Sequence, residues 1–252
     1  MKMDEPHFTP DLRTSALLLD VDGTIVDIAP KPDAVRVPVT LKDALARLVA
    51  ATDGAVALVS GRRLADLDHL FAPLHLAVVG GHGAELRLLD GATGQTQESP
   101  QLDAELKRRL TALARDGVAA EDKGFSLALH FRQAPEQEKS LRDAVARLCA
   151  EQWSPAVEIL PGKAVIEIKP AGFTKATGVR ALMKHAPFAG RRPIFIGDDT
   201  TDETVFAIMP EFDGTAFSVG RDVAGVAGHF ATPARVRAWL DRIAPAHESV
   251  GP

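Results

Sequence analysis

Three short runs of unbroken apolar residues, each stopping on an acidic or hydroxyl group, restrict this chain to few folds. Ala16-Leu17-Leu18-Leu19 stops at Asp20, and Ala55-Val56-Ala57-Leu58-Val59 stops at Ser60. Pro193-Ile194-Phe195-Ile196 runs into Gly197-Asp198-Asp199. A run that is apolar at every position has both faces covered, as a strand inside a parallel sheet does. Between the first two runs, Leu41, Leu45, Leu48 and Val49 recur at helical spacing, with Thr40 as the expected N-cap. A helix through Leu64, Leu67 and Leu70 follows, then a fourth run, Leu76-Ala77-Val78-Val79, leading into Gly80-Gly81-His82-Gly83. This β-α-β-α-β order predicts parallel strands joined by right-handed crossovers.

The pattern changes after Arg87. Asp90-Gly91 and Thr93-Gly94 read as turns, in the manner of a hairpin. A helix over 103–114, an alternating stretch from Phe125 to Phe131, and a helix with Leu141, Val145, Leu148 and Cys149 on one face come next. Strands at 157–160 and 165–168 close this part. The parallel pattern then returns, with Thr174 capping a helix through Val179, Leu182 and Met183. A helix over 200–209, a strand over 215–219 and an amphipathic helix marked by Val236, Trp239, Leu240 and Ile243 complete it. The expected fold is α/β: a Rossmann-like, parallel-sheet core in two segments, 12–87 and 169–247, with an α+β cap domain, 88–168, inserted between them. Residues 1–11 and 248–252 are read as termini.

Composition narrows the function. The 252 residues carry a net charge of −5, so no overall positive field exists to attract nucleic acid or an anionic membrane. Hydrophobic residues at 46 % support a packed core. The single cysteine, Cys149, rules out an internal disulfide or a cysteine zinc site, and its place on an apolar helix face reads as packing. The acidic start has no secretory pattern and no run reaches the ~18 apolar residues of a membrane span. A cytoplasmic protein is expected.

The strand-end groups carry the chemistry. Open parallel sheets bind ligands beyond the carboxyl ends of their strands, where Asp20 with Asp22, Ser60, and Asp198 with Asp199 and Asp202 all fall. Any one of these alone is a common turn or cap residue. Three at successive strand ends, in this order, form a constellation.

Asp20-Val21-Asp22-Gly23-Thr24-Ile25 resembles the first motif of the haloacid-dehalogenase-like phosphatases. Val59-Ser60-Gly61-Arg62 resembles their second, Lys175 their third, and Gly197-Asp198-Asp199-Thr200-Thr201-Asp202 their fourth. The resemblance implies phosphoryl transfer through an aspartyl-phosphate, with Asp20 as nucleophile and Asp22 as acid and base. It implies Mg²⁺ held by Asp20, the backbone carbonyl of Asp22 and the side chain of Asp198. Ser60 and Lys175 would hold phosphoryl oxygens, and Asp202 would orient Lys175 or a water on the metal.

An insertion between the second and third motifs is the large-cap arrangement. Gly81-His82-Gly83-Ala84-Glu85, Lys123-Gly124-Phe125-Ser126 with His130-Phe131-Arg132, and Gly162-Lys163 with Glu167-Ile168-Lys169-Pro170 resemble the trehalose-6-phosphate phosphatases. So does the fourth motif extended to Glu203. By that resemblance Gly61, Arg62, His82, Glu121, Lys123, Arg132, Lys163 and Glu167 bind the sugar phosphate. His130 is read as supporting the cap. The implied activity is Mg²⁺-dependent hydrolysis of trehalose 6-phosphate, by a monomer or weak dimer whose functional partner is a trehalose-6-phosphate synthase. Alternatives are a large-cap phosphatase for another sugar phosphate, a mutase, or a silent sugar-phosphate-binding regulator. The retained Asp20, Asp22 and Asp198 disfavour the regulator, and the large insertion disfavours the mutase.

Overall fold

The computed structural model describes residues 8–29, 35–89, 101–162 and 164–246. In chain order the elements begin with β1 (Ser15–Leu19), α1 (Val39–Ala51), β2 (Val56–Val59), α2 (Leu64–Phe71), β3 (Ala77–Gly80) and β4 (Glu85–Arg87). Next come α3 (Ala104–Thr111), β5 (Ala119–Asp122), β6 (Leu127–His130), α4 (Glu138–Cys149), β7 (Val157–Gly162) and β8 (Val165–Pro170). The chain closes with α5 (Lys175–Leu182), β9 (Arg192–Gly197), α6 (Glu203–Phe206), β10 (Thr215–Val219), β11 (Gly228–Phe230) and α7 (Pro233–Ile243). Two compact units result, one from residues 1–97 with 174–252 and one from residues 98–173.

In the first unit the strands lie in the order β11-β10-β9-β1-β2-β3-β4. Neighbours are parallel except β3 and β4. β1 is central, with Leu19 opposite Ile196 on one side and Leu58 on the other. Its apolar run Ala16–Leu19 follows from that place. Leu17 and Leu19 pack with Leu41, Leu45 and Leu48 of α1 and with Trp239 and Leu240 of α7. Ala16 and Leu18 point the other way, toward Val179 and Leu182 of α5 and Phe206 of α6. Burying each such leucine is worth about 1.5–3 kcal/mol, which keeps β1 apolar from Ala16 to its end.

The second unit has the antiparallel order β5-β6-β8-β7. Leu127, Leu129, Ile166 and Ile168 pack against Leu106 and Leu110 of α3 and Leu141 and Val145 of α4. Side chains alternate across a strand, so Ala128, His130, Glu167 and Lys169 take the opposite face. Glu121 pairs with Ala128 and shares that face. Cys149 packs at the edge of this core, where burial pushes its thiol up to about 11. Trp153 packs there too, donating its indole N–H to the Leu148 carbonyl at 2.7 Å.

Several expectations change. α1 starts at Val39 behind Pro38, which makes no side-chain cap, and Thr40 is an ordinary first-turn residue. The single helix expected over 200–209 is broken into a 3-10 turn at Thr200–Asp202, the four-residue α6, and a second 3-10 turn at Met209–Phe212. The cause is local: the Asp202 carboxylate turns back to accept the N–H groups of Asp198 and Asp199, which holds the first turn tight. The cap's closing boundary, expected at 168, falls inside β8, and the second unit runs on to Phe173. The turns expected at 90–94 lie outside the described residues. Among the described residues, no helix is long and apolar enough to cross a membrane.

Candidate active site

β1 and β9 end side by side and deliver Asp20 and Asp198 to one edge of the parallel sheet. Asp202 reaches the same place from the 3-10 turn after β9, and Lys175 from the first turn of α5. Thr174 opens that helix with a capping box shared with Thr177, worth about 1 kcal/mol. Gly178 then lets α5 lie flat on the sheet, because a Cβ there would come within 2.4 Å of Val79 Cγ1.

Lys175 joins the group. Its Nζ donates to Asp20 Oδ1 and to Asp202 Oδ1, both at 2.7 Å, and all three side chains are buried. A cation in the first turn of a helix opposes the helix dipole, and these two carboxylates offset that cost. Burial works against the charged ammonium, but Asp20 and Asp202 outweigh it and raise Lys175 above its ordinary value. Asp202 spends its second oxygen on the backbone N–H groups of Asp198 and Asp199, at 3.1 and 3.0 Å.

Carboxylate oxygens of Asp20, Asp198 and Asp202 lie within 4.8 Å of one another. Three carboxylates therefore face one ammonium, an excess of negative charge that a divalent cation matches, and hard oxygen donors suit such an ion. The excess shows in the proton affinities. Burial first, then the charges of Asp20 and Asp202, push Asp198 up to about 8 against the pull of Lys175. Burial and the Asp20 charge push Asp202 up to about 7. The residues fit a divalent metal.

The first motif packs tightly around this cluster. Gly23 has φ +83°, and a Cβ there would stand 2.1 Å from Asp198 Oδ2. Thr24, fully buried, donates its hydroxyl to Asp198 Oδ1 at 3.3 Å. The carboxylate of Asp22 lies outside the acidic cluster and is gripped by Arg62. Ser60, at the end of β2, is buried, and its Oγ accepts the Arg62 backbone N–H at 3.1 Å. Gly61 leaves room for the ring of His82, which a Cβ would meet at 2.5 Å. His82 follows β3 in a left-handed conformation (φ 54°) and donates its backbone N–H to the Ser60 carbonyl at 3.1 Å. So the first unit gathers Asp20, Lys175, Asp198 and Asp202, with Asp22, Ser60, Gly61, Arg62 and His82 linked around them.

In the second unit, Glu167 is nearly buried and accepts from Lys123 Nζ at 2.8 Å and from the Ser126 hydroxyl at 2.7 Å. Glu121 pairs with His130 Nε2 at 2.8 Å. Arg132 is exposed beyond β6, and Lys163 lies outside the described residues. Sequence reasoning missed Thr24 and Ser126 as supports of candidate groups, while His130, read as supporting the cap, has Glu121 as its partner. Each lies within a quoted motif string, but only the register shows which neighbour it serves.

A sequence model described as trehalose-phosphatase matches residues 18–236. The chain is 38 % identical over 241 residues to the trehalose-6-phosphate phosphatase of Escherichia coli K12, covering 94 % of this chain and 90 % of that protein. It is 40 % identical over 215 residues to a probable trehalose-phosphate phosphatase of Sinorhizobium fredii, covering 84 % and 80 %. Among solved structures, the C-terminal domain of a Candida albicans trehalose-6-phosphate phosphatase superposes with TM-score 0.73 at 22 % identity, covering 95 % of this chain and 99 % of that one. At that identity the match speaks to the fold, and it is the expected one: a mostly parallel core with an inserted α+β unit.

Proposed function

Because the chain belongs to the trehalose-phosphatase family, we propose that it hydrolyses trehalose 6-phosphate to trehalose and inorganic phosphate. The observation that carries this reading is the buried Lys175 bridging Asp20 and Asp202 within the span matched to that family.

The reaction runs in two displacements. An oxygen of Asp20 forms a bond to phosphorus while the bond from phosphorus to the sugar oxygen breaks. Asp22 gives that leaving oxygen its proton. Asp22 then takes a proton from water, whose oxygen attacks phosphorus, and the bond to Asp20 breaks to release phosphate. Lys175 holds Asp20 in place and neutralises phosphoryl charge. Ser60 accepts from the Arg62 backbone, so its own hydroxyl proton is directed to a phosphoryl oxygen. Asp20, Asp198 and the Asp22 backbone carbonyl would hold Mg²⁺, which would supply further neutralisation of phosphoryl charge. Asp202 fixes Lys175 and the Asp198 backbone.

The sugar is read by charged groups. Arg62 and His82 in the first unit, and Glu121, Lys123, Arg132, Lys163 and Glu167 in the second, are assigned to it. Charged side chains make strong directional bonds to hydroxyls. A synthase that makes trehalose 6-phosphate is its functional partner, and the cytoplasm is the compartment that suits both.

The test is phosphate release by the purified chain with Mg²⁺, comparing trehalose 6-phosphate, sucrose 6-phosphate and glucose 6-phosphate, beside Asp20→Asn. Preference for trehalose 6-phosphate, lost in the variant, supports the whole reading. Preference for another sugar phosphate keeps the core chemistry and overturns the sugar assignments.

A further inference from the structure

We propose that Arg221 is a positioning residue that holds the Asp198 carboxylate ready for the metal, acting through the backbone; this rests on the metal reading above. No catalytic motif in the sequence contains Arg221. It lies two residues beyond the end of β10, the strand next to β9, where Ser218 stands opposite Gly197. Its Nε donates to the backbone carbonyl of Asp198 at 2.7 Å. Its Nη1 donates to Glu203 Oε1, also at 2.7 Å. Ser218, fully buried, donates its hydroxyl to the Arg221 carbonyl at 2.7 Å, which fixes the loop that presents the guanidinium.

These bonds complete a restraint on one residue. The N–H of Asp198 is already held by Asp202, and Arg221 holds its carbonyl. With both backbone polar groups pinned, the point from which the Asp198 side chain projects is fixed before any ligand arrives. Its oxygens are further confined by Thr24 and by the close approach of Gly23. The bridge also accounts for Glu203, the last residue of the extended fourth motif, which has no part in the chemistry. Glu203 anchors the guanidinium so that its Nε meets the Asp198 carbonyl. Supports of this kind around a metal site affect affinity by roughly 10–100-fold.

Isothermal titration of Mg²⁺ into the metal-free full-length protein tests this directly, beside kinetics at varied Mg²⁺. Arg221→Ala is expected to weaken Mg²⁺ binding about tenfold. Its kcat on trehalose 6-phosphate is expected to recover toward the wild-type value at saturating Mg²⁺. Arg221→Lys, which cannot reach the carbonyl and Glu203 together, is expected to fall between the two. Glu203→Gln keeps the shape of the anchor and serves where Arg221→Ala does not fold; it is expected to weaken Mg²⁺ binding by a smaller factor in the same direction. Mg²⁺ affinity within twofold of wild type in the variants that fold, with wild-type hydrolysis intact, overturns the role of Arg221 and leaves the proposed function standing. A wild-type protein that hydrolyses its substrate but takes up no Mg²⁺ overturns the metal reading and this inference with it.

Discussion

Arg62 holds both carboxylate oxygens of Asp22, with Nε on Oδ2 at 2.6 Å and Nη2 on Oδ1 at 2.7 Å. The proposed acid and base is therefore aimed by a forked cation on the neighbouring strand end, and the pair must loosen for a proton to move. Asp22→Asn is expected to lower kcat by roughly 10²–10⁴-fold while the protein stays folded. Arg62→Lys keeps the charge and loses the fork, so its kcat falls less. Steady-state kinetics beside circular dichroism measure both; equal losses in the two variants would contradict the positioning role.

Lys175 is the counter-charge of a buried cluster. Lys175→Met leaves Asp20 and Asp202 buried without it, a loss of about 3–5 kcal/mol when one partner of a buried pair is removed. Urea unfolding of the metal-free protein should show the midpoint fall. Adding Asp202→Asn to that variant should restore part of it.

The acidic cluster also sets a pH dependence. Asp198 and Asp202 have folded values near 8 and 7, far above the ordinary carboxylate value of 3.8. Between that ordinary value and their folded ones, the folded state binds more protons than the unfolded state. Metal-free stability is therefore fullest below about pH 4 as far as these two groups are concerned, and their contribution is lost as pH rises through 7 and 8. Mg²⁺ must displace those protons, so its affinity should rise over the same interval. Thermal melts at pH 6 to about 8.5, with and without Mg²⁺, check both directions. A metal-induced gain in melting temperature that does not grow with pH would contradict this account.

Gly23 bears on the proposed metal site through space alone. Gly23→Ala combines a positive φ with a Cβ 2.1 Å from Asp198 Oδ2, so the carboxylate must move. Activity is expected to fall at least about tenfold, the scale of a disturbed metal support. The urea midpoint should move far less than in Lys175→Met. Activity assay and unfolding on the same preparation separate the two effects.

Cys149 should be inert in the native state. Burial holds its thiol as the neutral form up to about pH 11. At pH 8 a thiol reagent should label it slowly, and rapidly once urea opens the second unit. Fast labelling of the native protein would contradict its packing.

Much of this was legible in the sequence because burial on two faces leaves a mark no other element leaves. β2 and β3 read as strands since they are apolar throughout, and β1 and β9 since only the first residue of each, Ser15 and Arg192, is polar before the end. The end itself then draws the eye, which is why Asp20, Ser60 and Asp198 stood out as candidates. The parts that escaped lack such a mark. β5 is a largely exposed edge, Ala119-Ala120-Glu121-Asp122, without apolar alternation. β4 and β11 are three residues each. The broken helix after Asp199 depends on where the Asp202 carboxylate turns, a choice made by backbone N–H groups that sequence spacing does not reveal. Arg62 was read as a substrate group, but its grip on Asp22 follows from β1 and β2 being neighbours and became visible only with the sheet order. Arg221 has the same origin, in the adjacency of β9 and β10.

The strand order carries a consequence for the birth of the protein. Lys175 and Asp20 are 155 positions apart, and β1 acquires its second neighbour only with β9, near residue 197. The ribosome delivers the chain from its N-terminus, so β1 to β4 emerge with one side of β1 unpaired. Residues 98–173 form a contiguous unit and can close while the remainder is still being translated. The acidic cluster then waits for the last quarter of the chain, and a truncated product ending before β9 would carry Asp20 but neither Asp198 nor Asp202. An assembled acidic cluster is thus a report of synthesis through Asp202, which makes an earlier stop in translation a silent event and not a source of rogue phosphatase.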